Sequence, residues 1–193
     1  MTANPRNSEN GIKAIIKESQ VFLTVAYVVS IGIGMLFTYE KYSEFGINIF
    51  EYADVFDFLI APFSDFKILV FTIISLIFTF LVLRMDLAYQ KYFPKSYSKM
   101  TFGLDRKKWY NMIRYPSFAL LFLFYLHISA RSYGEMVKDE ILSQTPVQVV
   151  FSDDQFQKGK VVGKTKEVLF LTDGNSVKAI PITSFVKTIE IRR

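Results

Sequence analysis

Glu51, Asp54 and Asp57 recur every third residue inside a strongly aromatic stretch, FGINIFEYADVFDFLIAPF (45–63). Read as a helix, that spacing gathers three carboxylates into a sector of about 120°, with Ile47, Phe50, Phe56, Phe58 and Ile60 over the rest. Pro62 ends the pattern. The segment is too apolar for a water-exposed connection and too acidic for a lipid-facing span. As an amphipathic helix it would lie in a membrane interface with its acids toward water. Repeated by symmetry in an oligomer, the same acids would form cation-concentrating rings at a pore mouth.

Other chemistry is narrowed by what the chain lacks. It has no cysteine and one histidine, which excludes disulfides, thiolate metal sites and any site needing two imidazoles. It carries no phosphate-binding glycine loop and no paired-histidine zinc motif. A Ser-His-acid arrangement would have to use His127, and the sequence places no suitable acid beside it. Neither catalysis nor a cofactor is expected.

Thr72, Ser75 and Thr79 line one side of an otherwise apolar helix. Such hydroxyls back-bond to their own helix and allow packing, or they line a polar path. Ala26, Ser30 and Gly34 stand four apart, a small-xxx-small face that lets membrane helices approach closely. Lys91, Lys95 and Lys99 alternate with Tyr89, Tyr92, Phe93 and Tyr97, and Arg106, Lys107 and Lys108 abut Trp109 and Tyr110. A basic, aromatic strip beside a span binds anionic lipid headgroups, at about 1 kcal/mol per base near the surface. The same pattern could dock a cytoplasmic protein or hold single-stranded nucleic acid.

The elements that must position these groups are membrane helices and a small β-module. In 193 residues there are 20 Phe and 11 Tyr, and mean hydropathy is +0.24. Soluble proteins of this size rarely carry so many rings, whereas rings that face lipid cost no solubility. Ser19–Tyr39, Ile68–Leu83 and Tyr115–Ala130 contain no Asp, Glu, Lys or Arg, and spans are expected at about 19–39, 66–84 and 113–131. The first is read as a span and not a cleaved leader, because its apolar run is long and no small-x-small site follows. His127 lies near the end of the third span, four residues before Arg131. An ionisable group in a span is a functional candidate, although an interfacial histidine is the plainer explanation.

Charge is sorted between the spans. Residues 1–18 form a near-neutral tail; Glu40–Lys67 holds six acids and two bases, and Arg84–Arg114 eight bases and two acids. The positive-inside rule puts 84–114 and the N-terminus in the cytoplasm, and the acidic segment and the C-terminal module outside.

From Pro146 the pattern changes to period two. VQVVF (147–151), GKVVGK (159–164), EVLFL (167–171), SVKAI (176–180) and VKTIEI (186–191) read as five short strands. Thr172-Asp173-Gly174-Asn175 is a tight-turn signal, and 182–185 has the length of one 3₁₀ turn before the last strand. The expected architecture is an α-helical membrane domain (19–133: three spans plus an amphipathic helix) followed by a small all-β SH3-like or Sm-like barrel (146–193).

The run Gly159-Lys160-Val161-Val162, Phe170-Leu171-Thr172-Asp173-Gly174 and Ile180-Pro181 resembles the β-domain that follows the pore in small-conductance mechanosensitive channels. The resemblance implies the barrel and not the mechanosensitivity. The third span lacks that family's Gly/Ala-rich pore helix, and Ile182 stands where it usually has Asn. In layout the chain is similar to small membrane subunits of bacterial anti-phage defence operons, the Kiwa type among them, which permeabilise the membrane or sense infection and recruit a cytoplasmic effector. That resemblance implies a homo-oligomeric transmembrane sensor coupling one face of the bilayer to a cytoplasmic partner. An oligomeric cation channel or permeabilising effector gated by the barrel is the alternative.

Overall fold

The computed structural model describes the backbone of residues 5–151, 155–182 and 186–190, and the side chains of 19–151 and 155–182. Helix α1 (Pro5–Ser43) runs through the first apolar stretch and stops where Gly46 turns the chain at φ +72°. A 3₁₀ turn (Ile49–Glu51) and helix α2 (Val55–Ser64) follow. Asp65, extended at ψ 102°, breaks the chain before α3 (Phe66–Tyr92), and its carboxylate accepts a hydrogen bond from the Lys67 amide. Pro94 sets the first turn of α4 (Pro94–Met100), where its missing N–H costs nothing. Gly103, at φ +75°, lets the chain reverse before α5 (Tyr110–Ser143).

Three helical stretches are long and apolar enough to cross a membrane: Ser19–Ser43, Phe66–Tyr92 and Tyr110–Ser143. They lie where spans were expected, but each is longer. The region 84–114 is therefore not an open loop. Its first third continues α3, its centre is α4, and its end begins α5.

α3 and α5 form an antiparallel pair pinned along its length by Lys67–Glu140, Ser75–Ser129 and Asp86–Arg114. α1 joins it through its C-terminal part, where Phe37 packs on Phe71 and Tyr133 and belongs to a core with Ile68, Leu126 and Val137. Lower down, residues 19–29 of α1 are exposed on every face.

The C-terminal module consists of β1 (Val147–Phe151), β2 (Phe156–Lys164), β3 (Val168–Thr172), β4 (Val177–Pro181) and β5 (Val186–Glu190). All pairings are antiparallel and the order is β4-β3-β2-β1-β5. β4 and β5 are the edges of this sheet among the described residues. Thr183, Ser184 and Phe185 of the expected 3₁₀ turn lie outside the described residues. At the β3–β4 turn Gly174 has φ +99°, and the Asp173 carboxylate accepts from the Asn175 and Ser176 amides at 2.9 and 2.8 Å. The Ser176 and Asn175 amides and the Ser176 hydroxyl hold that carboxyl below the usual range.

β3 is buried on both faces. Leu169 and Leu171 join Val149 and Ile180 in the module's own core, while Phe170 and Val162 pack on Tyr42, Ile49 and Phe58 of the helical region. A strand covered on both sides reads as a continuous apolar run, as VLFL does. Gly163 is where the sheet closes on the helices: a Cβ there would lie 2.2 Å from the Tyr42 hydroxyl. The Lys160 ammonium adds a hydrogen bond to the Leu142 carbonyl at the end of α5.

Candidate functional site

The seam between the helices and the sheet holds an open-sided cavity of about 290 Å³. α1 contributes Lys41 and Tyr42, α2 contributes Asp57, and β2 ends on it with Lys164, followed by Thr165. Asp65 and Tyr133 form its helical wall, the Tyr133 hydroxyl donating to Asp65 Oδ2 at 2.7 Å. Each group is fixed by its backbone. Asp65 caps α3, Thr165 holds the β2–β3 turn by accepting from the Val168 amide at 3.1 Å, and Tyr42 is wedged edge-on against Phe170. Gly134 allows α5 this close: a Cβ there would stand 2.9 Å from the Glu40 carbonyl oxygen.

The acidic triplet is not the helical stripe its spacing suggests. Glu51 ends the 3₁₀ turn and accepts from the Asn48 amide group at 2.8 Å. Asp54, at φ −94° and ψ 175°, is outside the helix as the N-cap of α2, accepting from the Phe56 and Asp57 amides at 2.7 and 3.1 Å. Asp57 returns the bond, accepting from the Asp54 amide at 3.1 Å. This reciprocal capping box breaks 45–63 into two pieces, so the three carboxylates do not share one helical sector. Pro62 lies inside α2 instead of ending it. Replacing Asp54 with alanine removes the cap and should cost about 1 kcal/mol, read as a lower thermal midpoint of the purified chain. Glu51→Ala, which leaves α2 capped, should leave the midpoint within about 0.5 kcal/mol of wild type.

Thr72 and Thr79 donate to the Ile68 and Ser75 carbonyls one turn back. Ser75, 2% exposed, donates to the Phe71 carbonyl and meets the Ser129 hydroxyl at 2.8 Å. The α3 hydroxyl face is thus closed against α5, the packing use. Gly34 is also used within the chain, since a Cβ there would fall 1.8 Å from the Phe58 carbonyl oxygen of α2. Ala26 is exposed and Ser30 partly so.

His127 does have an acid beside it. Its Nδ1 lies 3.5 Å from Glu40 Oε1, and Glu40 is only 9% exposed. Sequence reasoning placed Glu40 in a loop because its charge closed the apolar run, whereas α1 carries it on into contact with α5.

At the opposite end of α3 and α5, Lys91, Lys95, Lys99, Arg106, Lys107 and Lys108 are all exposed. Beneath them is a buried network. Arg114, 6% exposed, grips Asp86 through Nε at 2.8 Å and through a second nitrogen, and donates to Gln90 Oε1 at 2.7 Å. The fully buried Tyr97 donates to Asp86 Oδ1 at 3.1 Å and meets the Tyr110 hydroxyl at 2.7 Å. Burial, the Tyr110 bond and the Asp86 bond all push the Tyr97 phenol above its usual range.

The cavity residues Lys41, Asp65, Tyr133, Lys164 and Thr165 were not legible as a site in the sequence. They are spread over 125 positions and carry no motif; one available signal was a Glu-Lys pair followed by Tyr at the end of an apolar run. No protein-family model, curated protein or solved structure matches the chain.

Proposed function

We propose that the chain is a homo-oligomeric transmembrane sensor, with a sensing face built from the β-module and the 45–65 region and an effector face built from the six exposed bases. The supporting observation is the seating of the sheet on the helices. Val162, Gly163 and Phe170 pack against Tyr42, and Lys160 bonds the end of α5, so displacement of the sheet is felt by α1 and α5 together. α5 then runs 34 residues, about 51 Å as a helix, to the basic end. An element packed at both ends of a bundle can carry a two-state rearrangement between them.

In this reading the module folds as an SH3-like or Sm-like barrel whose edges β4 and β5 lie close, a topology for which the β4-β3-β2-β1-β5 order is suited. Copies associate through α1, where Ala26 lies in the exposed stretch 19–29 and the partly exposed Ser30 follows it. The basic end lies in the cytoplasm, on anionic headgroups and a cytoplasmic effector protein, in a bacterial inner membrane and a defence or stress response. A cation path gains no support from Thr72, Ser75 and Thr79, which are spent on α5 and their own helix.

The chain has no cysteine, so single replacements report cleanly. Asn175→Cys should react with a membrane-impermeant maleimide added to intact cells, and Lys95→Cys only after permeabilisation. Liposomes holding the purified protein should keep a potassium gradient. Labelling of both positions from one side, or rapid ion release, would overturn the sensor reading, and the latter would favour the channel.

A further inference from the structure

The hydrogen-bonding capacity left over around the helix–sheet cavity is lopsided. Lys41 has no hydrogen-bond or ion-pair partner among the described residues; its ammonium lies 5.1 Å from the centre of the Tyr42 ring. Lys164 has none either, and unlike Lys41 it is exposed to solvent. The Thr165 hydroxyl oxygen accepts from the Val168 amide, leaving its proton unspent, and the Tyr42 hydroxyl makes no hydrogen bond among the described residues. Asp65 accepts one hydrogen bond on each oxygen, from the Lys67 amide and the Tyr133 hydroxyl, and Asp57 accepts one on a single oxygen, from the Asp54 amide.

The two ammonium groups of the lining are matched in charge by the Asp57 and Asp65 carboxylates, but the partly buried Lys41 bonds to neither, and the Thr38, Tyr42 and Thr165 hydroxyls donate no hydrogen bond among the described residues. A partly buried ammonium without a partner is costly, and a compact group rich in acceptor oxygens removes that cost. Ile60 lines the cavity and is 57% exposed, beside Phe56 and Phe63, which are 65% and 69% exposed on the same short helix. The rim is therefore continuous with an apolar outer surface at the end of the spanning helices.

We propose that this cavity binds a phosphate ester and that the bilayer supplies it as a phospholipid headgroup. The phosphoryl oxygens take the Lys41 and Lys164 ammonium groups and the Thr165 and Tyr42 hydroxyls. The acyl chains leave past Ile60, and the free Asp57 oxygen accepts a hydroxyl of the headgroup. The ligand class stands on the cavity alone. Its consequence, that a headgroup bridging α1 and β2 sets how the sheet sits on the helices, rests on the sensor reading.

The test uses the full chain in neutral detergent, carrying Ile60→Cys labelled with an environment-sensitive fluorophore at the rim. Titration with dioctanoyl-phosphatidylglycerol should give a saturable change, and dioctanoylglycerol, which lacks the phosphate, none. Lys41→Met and Lys164→Met should each weaken binding about tenfold or more, an effect local to the rim and separate from headgroup contacts at the distant basic end. Unliganded Lys41→Met should melt at or above the wild-type midpoint, because the ammonium it removes is unpaired. Equal titration by the diacylglycerol, or undiminished affinity in both lysine variants, would overturn the site. A lower midpoint in unliganded Lys41→Met would overturn it too, by making the lysine structural. Glycerol 3-phosphate or inorganic phosphate binding as tightly as the lipid would keep the phosphate site and overturn the bilayer as its source. Ion flux and labelling topology enter none of these readings, so the sensor proposal can fail while this one stands, and the reverse.

Discussion

Gly34→Ala is expected to unseat α2 from α1 and to destabilise the chain by roughly 3 kcal/mol, the upper end of what inserting one methyl group into a packed contact costs. The added Cβ would fall 1.8 Å from the Phe58 carbonyl oxygen and 2.8 Å from its carbon. Those atoms are backbone, so no rotamer change relieves the overlap, and α2 must shift as a body. Phe58 is 3% exposed and shares its core with Tyr42, Ile49, Val162 and Phe170. The shift therefore propagates to the seat of the sheet. Gly32 is the internal control, because a Cβ there meets nothing within 4 Å. Gly32→Ala should be neutral, or stabilising by up to about 1 kcal/mol through helix propensity. Thermal midpoints of the two variants in one detergent check this; equal midpoints would sink the account of the α1–α2 contact.

The contrast between these glycines shows what the sequence could and could not say. Gly34 was legible as a small residue made for close approach, because small side chains at spacing four recur in membrane helix contacts. Its partner was not legible. A spacing rule describes one helix surface and carries nothing about what covers it, and the occupant is a short helix of the same chain instead of another copy. The three carboxylates failed for a related reason. Their period of three fits a helix, but Asp is also a preferred N-cap, and at Asp54 the local side-chain bonds won over propagation of the helix. The strands fared best, since alternation and the Asp173-Gly174 turn are local signals that one segment contains whole. The cavity is the opposite case. It takes one or two side chains from each of several segments, and only packing of the sheet on the helices brings them together.

Arg114→Met is expected to cost about 3–5 kcal/mol, the range for removing one partner of a buried ion pair. Arg114 is 6% exposed, and its loss strips Asp86 of a two-nitrogen grip, leaving the Tyr97 hydroxyl at 3.1 Å as the nearest support for the charge. Asp86→Met should be costly for the mirror reason, since the guanidinium would keep only Gln90 and the faces of Tyr97 and Tyr110, each with its ring centre 5.9 Å away. The double replacement should recover most of the loss. Both desolvation penalties vanish together, and two methionine side chains can fill the space beside the two rings. A double-mutant cycle on thermal or denaturant midpoints measures this, and additive single effects would mean that the two residues act separately. The expected coupling bears on function because the network lies directly beneath the six exposed bases. Tyr97 is on the same short helix as Lys95 and Lys99, and Arg114 is in the first turns of α5. Holding Tyr97, Asp86 and Arg114 together fixes α4 against α3 and α5, which presents the bases as one surface instead of six independent side chains. Loosening it should weaken binding to vesicles containing anionic lipid even though no exposed charge has been removed.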